Sequence, residues 1–333
     1  MKRNVIVCLA ILIIASFAFA AKEKKEEKPK SKHYSVNLSL YYPLSINKTP
    51  YDSANFNLTL LYSRLGRISG VDLAAVASVV KDEMKGLQIT GVAGISGNSM
   101  SGVQVSGLFN VAGDHIKGLQ AAGLINIAGE RLKGVQLAGI ANIAGNDTSG
   151  LQGSAIFNIT GESFSGIQAT GIFNITGENF VGIQATDIFN VVGENFNGIQ
   201  AAGIFNITGD SFKGLQAAGI FNVAGSLNGL QLGMINVAGK VKGVQLGIVN
   251  YTKKEIRGVP IGLVNLSRNG RVRFIAWGSN LMAVNMGAKF MVNKIYSIIT
   301  VGGFNLYDDV SEAISYGFYY GVHFPVNKAF VDI

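Results

Sequence analysis

Residues 166–181 read GIQATGIFNITGENFV, and nearly the same sixteen-residue sentence recurs on both sides of it. It is GLQAAGLINIAGERLK at 118–133, GLQGSAIFNITGESFS at 150–165, GIQATDIFNVVGENFN at 182–197 and GIQAAGIFNITGDSFK at 198–213. Glycines open units at 70, 86, 102, 118, 134, 150, 166, 182, 198 and 214, every interval being sixteen residues, and Gly229, Gly243 and Gly258 open shorter units of fourteen or fifteen. A short fixed period of this kind marks a repeat architecture.

Helix is excluded first. Each unit carries about three glycines together with β-branched residues, and a glycine inside a helix costs roughly 1 kcal/mol relative to alanine. Within 167–176, Ile167, Ala169, Gly171, Phe173 and Ile175 alternate with Gln168, Thr170, Ile172, Asn174 and Thr176. One face is apolar and the other mostly polar, which is the period of a strand. Gly177-Glu178-Asn179 then reads as a turn.

Two all-β architectures accommodate such units. In a parallel β-solenoid of about thirteen 14–16-residue coils, each unit is one coil and equivalent residues stack about 4.8 Å apart. Gln120, Gln136, Gln152, Gln168, Gln184, Gln200 and Gln216 then form one column, and Asn126, Asn142, Asn158, Asn174, Asn190, Asn206 and Asn222 another. Side-chain amides donate and accept together, so both columns are expected to be hydrogen-bonded structural ladders. In a transmembrane β-barrel, the alternative, each unit is one strand and a turn, with a lipid face and a lumen face. A barrel tends toward a two-strand repeat, because successive strands run oppositely; identical single units favour the solenoid. The repeats also lack Trp and Tyr before Tyr251, where barrel strands carry aromatic girdles.

The flanks differ from the repeat. Lys2 and Arg3 precede the apolar run NVIVCLAILIIASFAFA, and Ala18-Phe19-Ala20 offers a small-x-small cleavage site, so residues 1–20 read as a secretory signal peptide. The single cysteine, Cys8, falls inside that leader, which leaves no thiol chemistry in the remainder. Residues 21–33, AKEKKEEKPKSKH, read as a charged linker, and 34–69 as an N-terminal β cap before the repeat domain at 70–270. Residues 271–333 change to four antiparallel-type runs, one of them the aromatic ISYGFYYGVHF, joined by short turns such as Asn293-Lys294. Antiparallel segments are therefore expected at both ends.

Sites of chemistry are scarce. His33, His115 and His323 have no ligand-spaced partners, so no metal site is expected, and no glycine pattern forms a phosphate or dinucleotide cradle, so no cofactor is expected either. The recurrent acids Glu162, Glu178, Glu194 and Asp210 come one per unit and read as solvated turns rather than a catalytic pair. The net charge of +8 is only a weak basic excess once Lys2 and Arg3 are removed, with no arginine–aromatic patch for nucleic acid.

The units GLQAAGIFNVAG, GLQLGMINVAG and GVPIGLVNLSRNGRV, with LSLYYPLSIN and LTLLYSRLGRISGVDLAAVASVV ahead of them, resemble a family of bacterial surface-repeat proteins found in spirochaetes and Bacteroidetes. The resemblance covers nearly the whole chain after the leader. It implies placement at the cell surface or outer membrane and carries over no catalytic residue. The expectation is a non-enzymatic adhesion or interaction scaffold whose partner is the outer membrane or a surface protein or glycan. The alternative is an outer-membrane barrel acting as a channel or membrane scaffold.

Overall fold

The computed structural model describes residues 30–279, 282–305, 314–326 and 329–332. The leader and most of the charged linker lie outside the described residues. The chain divides into two compact units, one through Asp187 and the other from Ile188.

A representative coil contains one strand at Phe164–Thr170 and a short one at Phe173–Thr176. Both pair in parallel with their equivalents one repeat away: Gly166 aligns with Gly150 and Gly182, Gln168 with Gln152 and Gln184, and Asn174 with Asn158. The chain returns to the same corner after sixteen residues, so all strands at one position run the same way. The fold is a parallel β-solenoid, and that pairing overturns the barrel alternative, whose walls are antiparallel hairpins.

A glycine allows the long strand to bend. Gly166 has φ +134°, and a Cβ there would lie 2.0 Å from the carbonyl oxygen of Gly150. The position therefore demands both an unusual backbone conformation and close approach of successive coils.

The interior is assembled from stacked columns. One is apolar: Met84, Met100, Ile116, Leu132, Phe164 and Phe180 in the first unit, and Phe196, Phe212, Leu227, Val241 and Ile256 in the second. Rings stack within it, Phe164 on Phe180 at 5.0 Å and Phe196 on Phe212 at 4.9 Å between centroids. A second column of small residues includes Ala112, Ala128, Ala144, Thr160 and Thr176. The remaining inward positions belong to the amides.

Parallel stacking begins before Gly70. The strand His33–Tyr41 pairs in parallel with Ser53–Ala74, which pairs in parallel with Ala77–Thr90; the antiparallel contribution at this end is the short pairing of Leu44–Ser45 onto the first strand. In the second unit the register survives the shortened repeats, with Gln231 opposite Gln245 and Pro260 opposite Gln245 on the other side. The C-terminal segment is an antiparallel sheet of Arg271–Trp277, Met282–Val292, Ile295–Asn305, Ser315–Val326 and Ala329–Asp332. Its first strand is additional to the four legible in the sequence. Asn293, at φ 56°, makes the tight turn between the second and third strands.

Candidate functional site

The glutamine column is buried and directional. In the first unit Gln104 donates from Nε2 to Oε1 of Gln88, Gln120 to Gln104, Gln136 to Gln120, Gln152 to Gln136, Gln168 to Gln152 and Gln184 to Gln168, at 2.7–3.0 Å. In the second unit Gln216 donates to Gln200, Gln231 to Gln216 and Gln245 to Gln231, at 2.8–2.9 Å. Every bond points toward the N-terminal side. Threonines of the small-residue column add further donors, Thr160 to Gln152 at 3.2 Å and Thr208 to Gln200 at 3.3 Å.

The asparagine column runs the opposite way. Asn110 donates to Oδ1 of Asn126, Asn126 to Asn142, Asn142 to Asn158 and Asn158 to Asn174. In the second unit Asn190 donates to Asn206, Asn206 to Asn222, Asn222 to Asn236, Asn236 to Asn250 and Asn250 to Asn265. The second amide hydrogen reaches a main-chain carbonyl of the next coil, as from Asn126 to Leu137 at 2.7 Å and from Asn174 to Ala185 at 2.8 Å. The side chain thus supplies a donor at a corner where the strands offer none. Asn265 ends the column on Ser297 Oγ, within the C-terminal sheet. At the other end Gly94 stands where an asparagine is due, and Asn110 Oδ1 has no partner.

With the amides inward, the apolar face of each strand turns outward. Leu108, Leu137, Ile167, Ile172 and Ile183 are exposed in the first unit, and Ile199, Ile204, Ile220, Met234, Leu246, Ile248 and Leu263 in the second. Phenylalanines stack along this outer surface too, Phe157 on Phe173 at 5.2 Å and Phe189 on Phe205 at 4.9 Å. An open groove of about 640 Å³ in the first unit carries the same character, lined by Leu38, Leu40, Leu58, Leu60, Leu73 and Ile89.

Charge is segregated along the coil. From the unit glycine to the second residue after the asparagine position, the twelve arcs between Gly86 and Ser267 contain one charged residue, Asp187. The other charges of these units fall on the remaining few residues. Lys85, Lys117, Lys133, Lys213 and Lys242 occupy the place before the glycine and are exposed, while Glu162, Glu178, Glu194 and Asp210 follow the turn glycine at the opposite border.

Other titratable groups are held separately. Burial pushes Asp52 upward, but donation from the main-chain N–H groups of Lys32, Thr49 and Lys48 outweighs it and holds the carboxyl below its ordinary value. His33 contacts Ser53 Oγ at 3.0 Å, and His115 lies 3.5 Å from Glu130 with both side chains about half exposed. Among the described residues no group of three or more His, Cys, Asp or Glu side chains converges as a metal site would require. No family model, curated protein or solved structure matches this chain.

The outward apolar arc is what sequence reasoning passed over. Its signal is present in the units themselves, since every charge but Asp187 avoids the same contiguous arc in coil after coil.

Proposed function

We propose that the chain is a non-enzymatic, exported protein of the cell surface or outer membrane that acts as an adhesion or interaction scaffold. The observation that carries this reading is the repetition of one outer surface along the stacked coils of each unit. The same apolar side chains recur in coil after coil, while the recurrent amides bond to one another in the interior. A surface of this kind binds through number: weak contacts repeated from coil to coil combine through high effective concentration. The N-terminal leader supports export, and the resemblance to surface-repeat proteins supports envelope placement.

The test is localisation followed by truncation of valency. The full chain, expressed in a diderm bacterium, is expected in the outer-membrane or surface-exposed fraction. Recovery in the cytoplasm overturns the proposal. Internal deletion of two whole coils, residues 118–149, preserves the stacking register and is expected to weaken envelope association without abolishing folding.

A further inference from the structure

We infer that the outward apolar arcs are a lipid-facing surface, on which the solenoid coils lie against a phospholipid bilayer with their charged corner toward water. The inference rests on the proposed envelope placement and names the partner of that surface.

Four features of the coil lead there. First, the apolar residues cannot be core that has failed to close. The interior is already filled by stacked Phe, Leu, Met and Ile side chains and by two amide columns, so Ile167, Ile172, Ile183, Ile199 and Ile220 have no inward position to occupy. Second, main-chain hydrogen bonds in a parallel solenoid run between coils, along the stack. The strands of the arc therefore present side chains with few open main-chain groups, which is the condition a hydrocarbon environment imposes. Third, the charge pattern is that of an interfacial element: one charge among twelve arcs, and all others in the same short segment of each coil.

The fourth feature is complementarity. The position bordering the arc on the long-strand side reads Ser69, Lys85, Ser101, Lys117, Lys133, Ser149, and onward to Lys213 and Lys242, without a single acid. Exposed lysines there reach lipid phosphates while their methylene stems cover the apolar border. Glu162, Glu178, Glu194 and Asp210, at the far border, sit where such a pose leaves them in water, and the acids nearer the lysines, Glu83 and Glu255, are paired with Arg67 and Arg257.

A second copy of this chain is the competing occupant. It fits less well, because the apolar side chains lie on both strands of the coil and on the corner between them, at Ile167, Ile172 and Phe173, a spread that fluid acyl chains follow and one folded partner face does not. Asp187 is the exception in the arc. It occupies the place of Gly171 in the next coil, and its removal is part of the test.

The full chain, exchanged from detergent into buffer with vesicles of phosphatidylethanolamine and phosphatidylglycerol, is expected to float with the vesicles. The variant Ile167→Lys/Ile183→Lys/Ile199→Lys is expected to lose about tenfold or more of that partition, while Ser149→Lys/Ser165→Lys/Asn197→Lys, with the same added charge on the border, keeps it. Asp187→Gly is expected to strengthen it. A second measurement stands apart from folding of the lysine variant: Ile183→Trp should be quenched by brominated acyl chains above the Trp277 background, and Ser165→Trp should not. No flotation, equal flotation of the isoleucine variant, or a discrete dimer in place of vesicle binding would each overturn the inference. An envelope location retained alongside any of these outcomes leaves the scaffold reading standing and moves the partner to protein.

Discussion

Gln88 donates from Nε2 to Oδ2 of Asp72 at 2.8 Å, and on that carboxylate two ladders meet head to head. From the other side Asn37 donates to Asn57, and Asn57 donates to Asp72 Oδ1 at 2.6 Å. Ser78 adds a third donor. A node that receives donors from both directions needs a residue with an oxygen facing each ladder, which an aspartate provides and a glutamine, with one oxygen and an NH2 group, does not. The same burial that makes the node dry pushes the Asp72 carboxyl above its ordinary value, against the lowering effect of Ser78, Asn57 and Gln88.

A pH dependence follows from the sign of that shift. Between 3.8 and the raised folded value the native state holds more protons than the unfolded chain, so the contribution of Asp72 falls as pH rises. It is fully present below 3.8 and lost as pH climbs through the folded value. Urea midpoints of the wild type and Asp72→Asn, measured from acid to neutral pH, should therefore differ most favourably for the wild type at the acid end. The subtraction removes carboxylates common to both, including the oppositely shifted Asp52. A pH-independent difference would rule this account out.

Replacing Asn174 by leucine exchanges a polar interior group for an apolar one and is nevertheless expected to destabilise. The change removes the donor to the Ala185 carbonyl and the acceptor used by Asn158. Both partners stay buried, so about 2–4 kcal/mol of stability is expected to be lost. Ile167→Ser, an apolar-to-polar change on the outer arc, should leave the chain within about 0.5 kcal/mol in detergent solution. Thermal and urea melts of the two variants test the inversion directly; an unchanged Asn174→Leu midpoint removes the ladder from the list of stabilising features.

The sixteen-residue period makes the stacking legible, because a glutamine at a constant offset in every unit has its equivalent as a neighbour once coils lie in parallel. Alternation also separates Ile167, Ala169 and Phe173 from Gln168 and Asn174. It does not say which set is interior. The usual assignment buries the apolar set, and the bonding of amides to their copies one coil away along each ladder is what makes the reverse stable. That satisfaction is a property of the stack, absent from any single unit. Asp72 is similarly opaque: in sequence it is a departure from the glutamine pattern, and its meaning lies in the opposed ladder built by Asn37 and Asn57. At the C-terminus the change of character at 271 is legible, but Arg271–Trp277 is not among the four runs read there, and it becomes a strand by pairing antiparallel with Met282–Val292.

Gly166→Ala tests the corner. The substitution meets the Gly150 carbonyl oxygen at 2.0 Å while forcing an L-residue to φ +134°. A backbone atom cannot yield as a flexible side chain does, so the coils must separate locally. The expected cost is on the order of 2–4 kcal/mol, above the ordinary glycine-to-alanine effect. Gly153→Ala, at a glycine whose nearest atom would be the flexible Leu137 side chain at 3.1 Å, is the control and should be mild. Equal melting temperatures for the two variants would remove the special role of the unit glycine.

Thr148 interrupts the inner apolar column between Leu132 and Phe164. Its hydroxyl is buried and has no hydrogen-bond partner, so the position carries a desolvated polar group and less apolar volume than its neighbours. Valine has nearly the same shape and no hydroxyl. Thr148→Val is expected to raise stability by about 1 kcal/mol, by removing the unsatisfied group without overfilling the site. Thr160→Val makes the same exchange where the hydroxyl donates to Gln152 Oε1 at 3.2 Å, and it should lower stability instead. Opposite signs for two identical substitutions, read from urea midpoints, are the outcome expected of an interior whose polar groups are stabilising only when each is paired. Destabilisation by both would mean that the Thr148 hydroxyl has a partner after all.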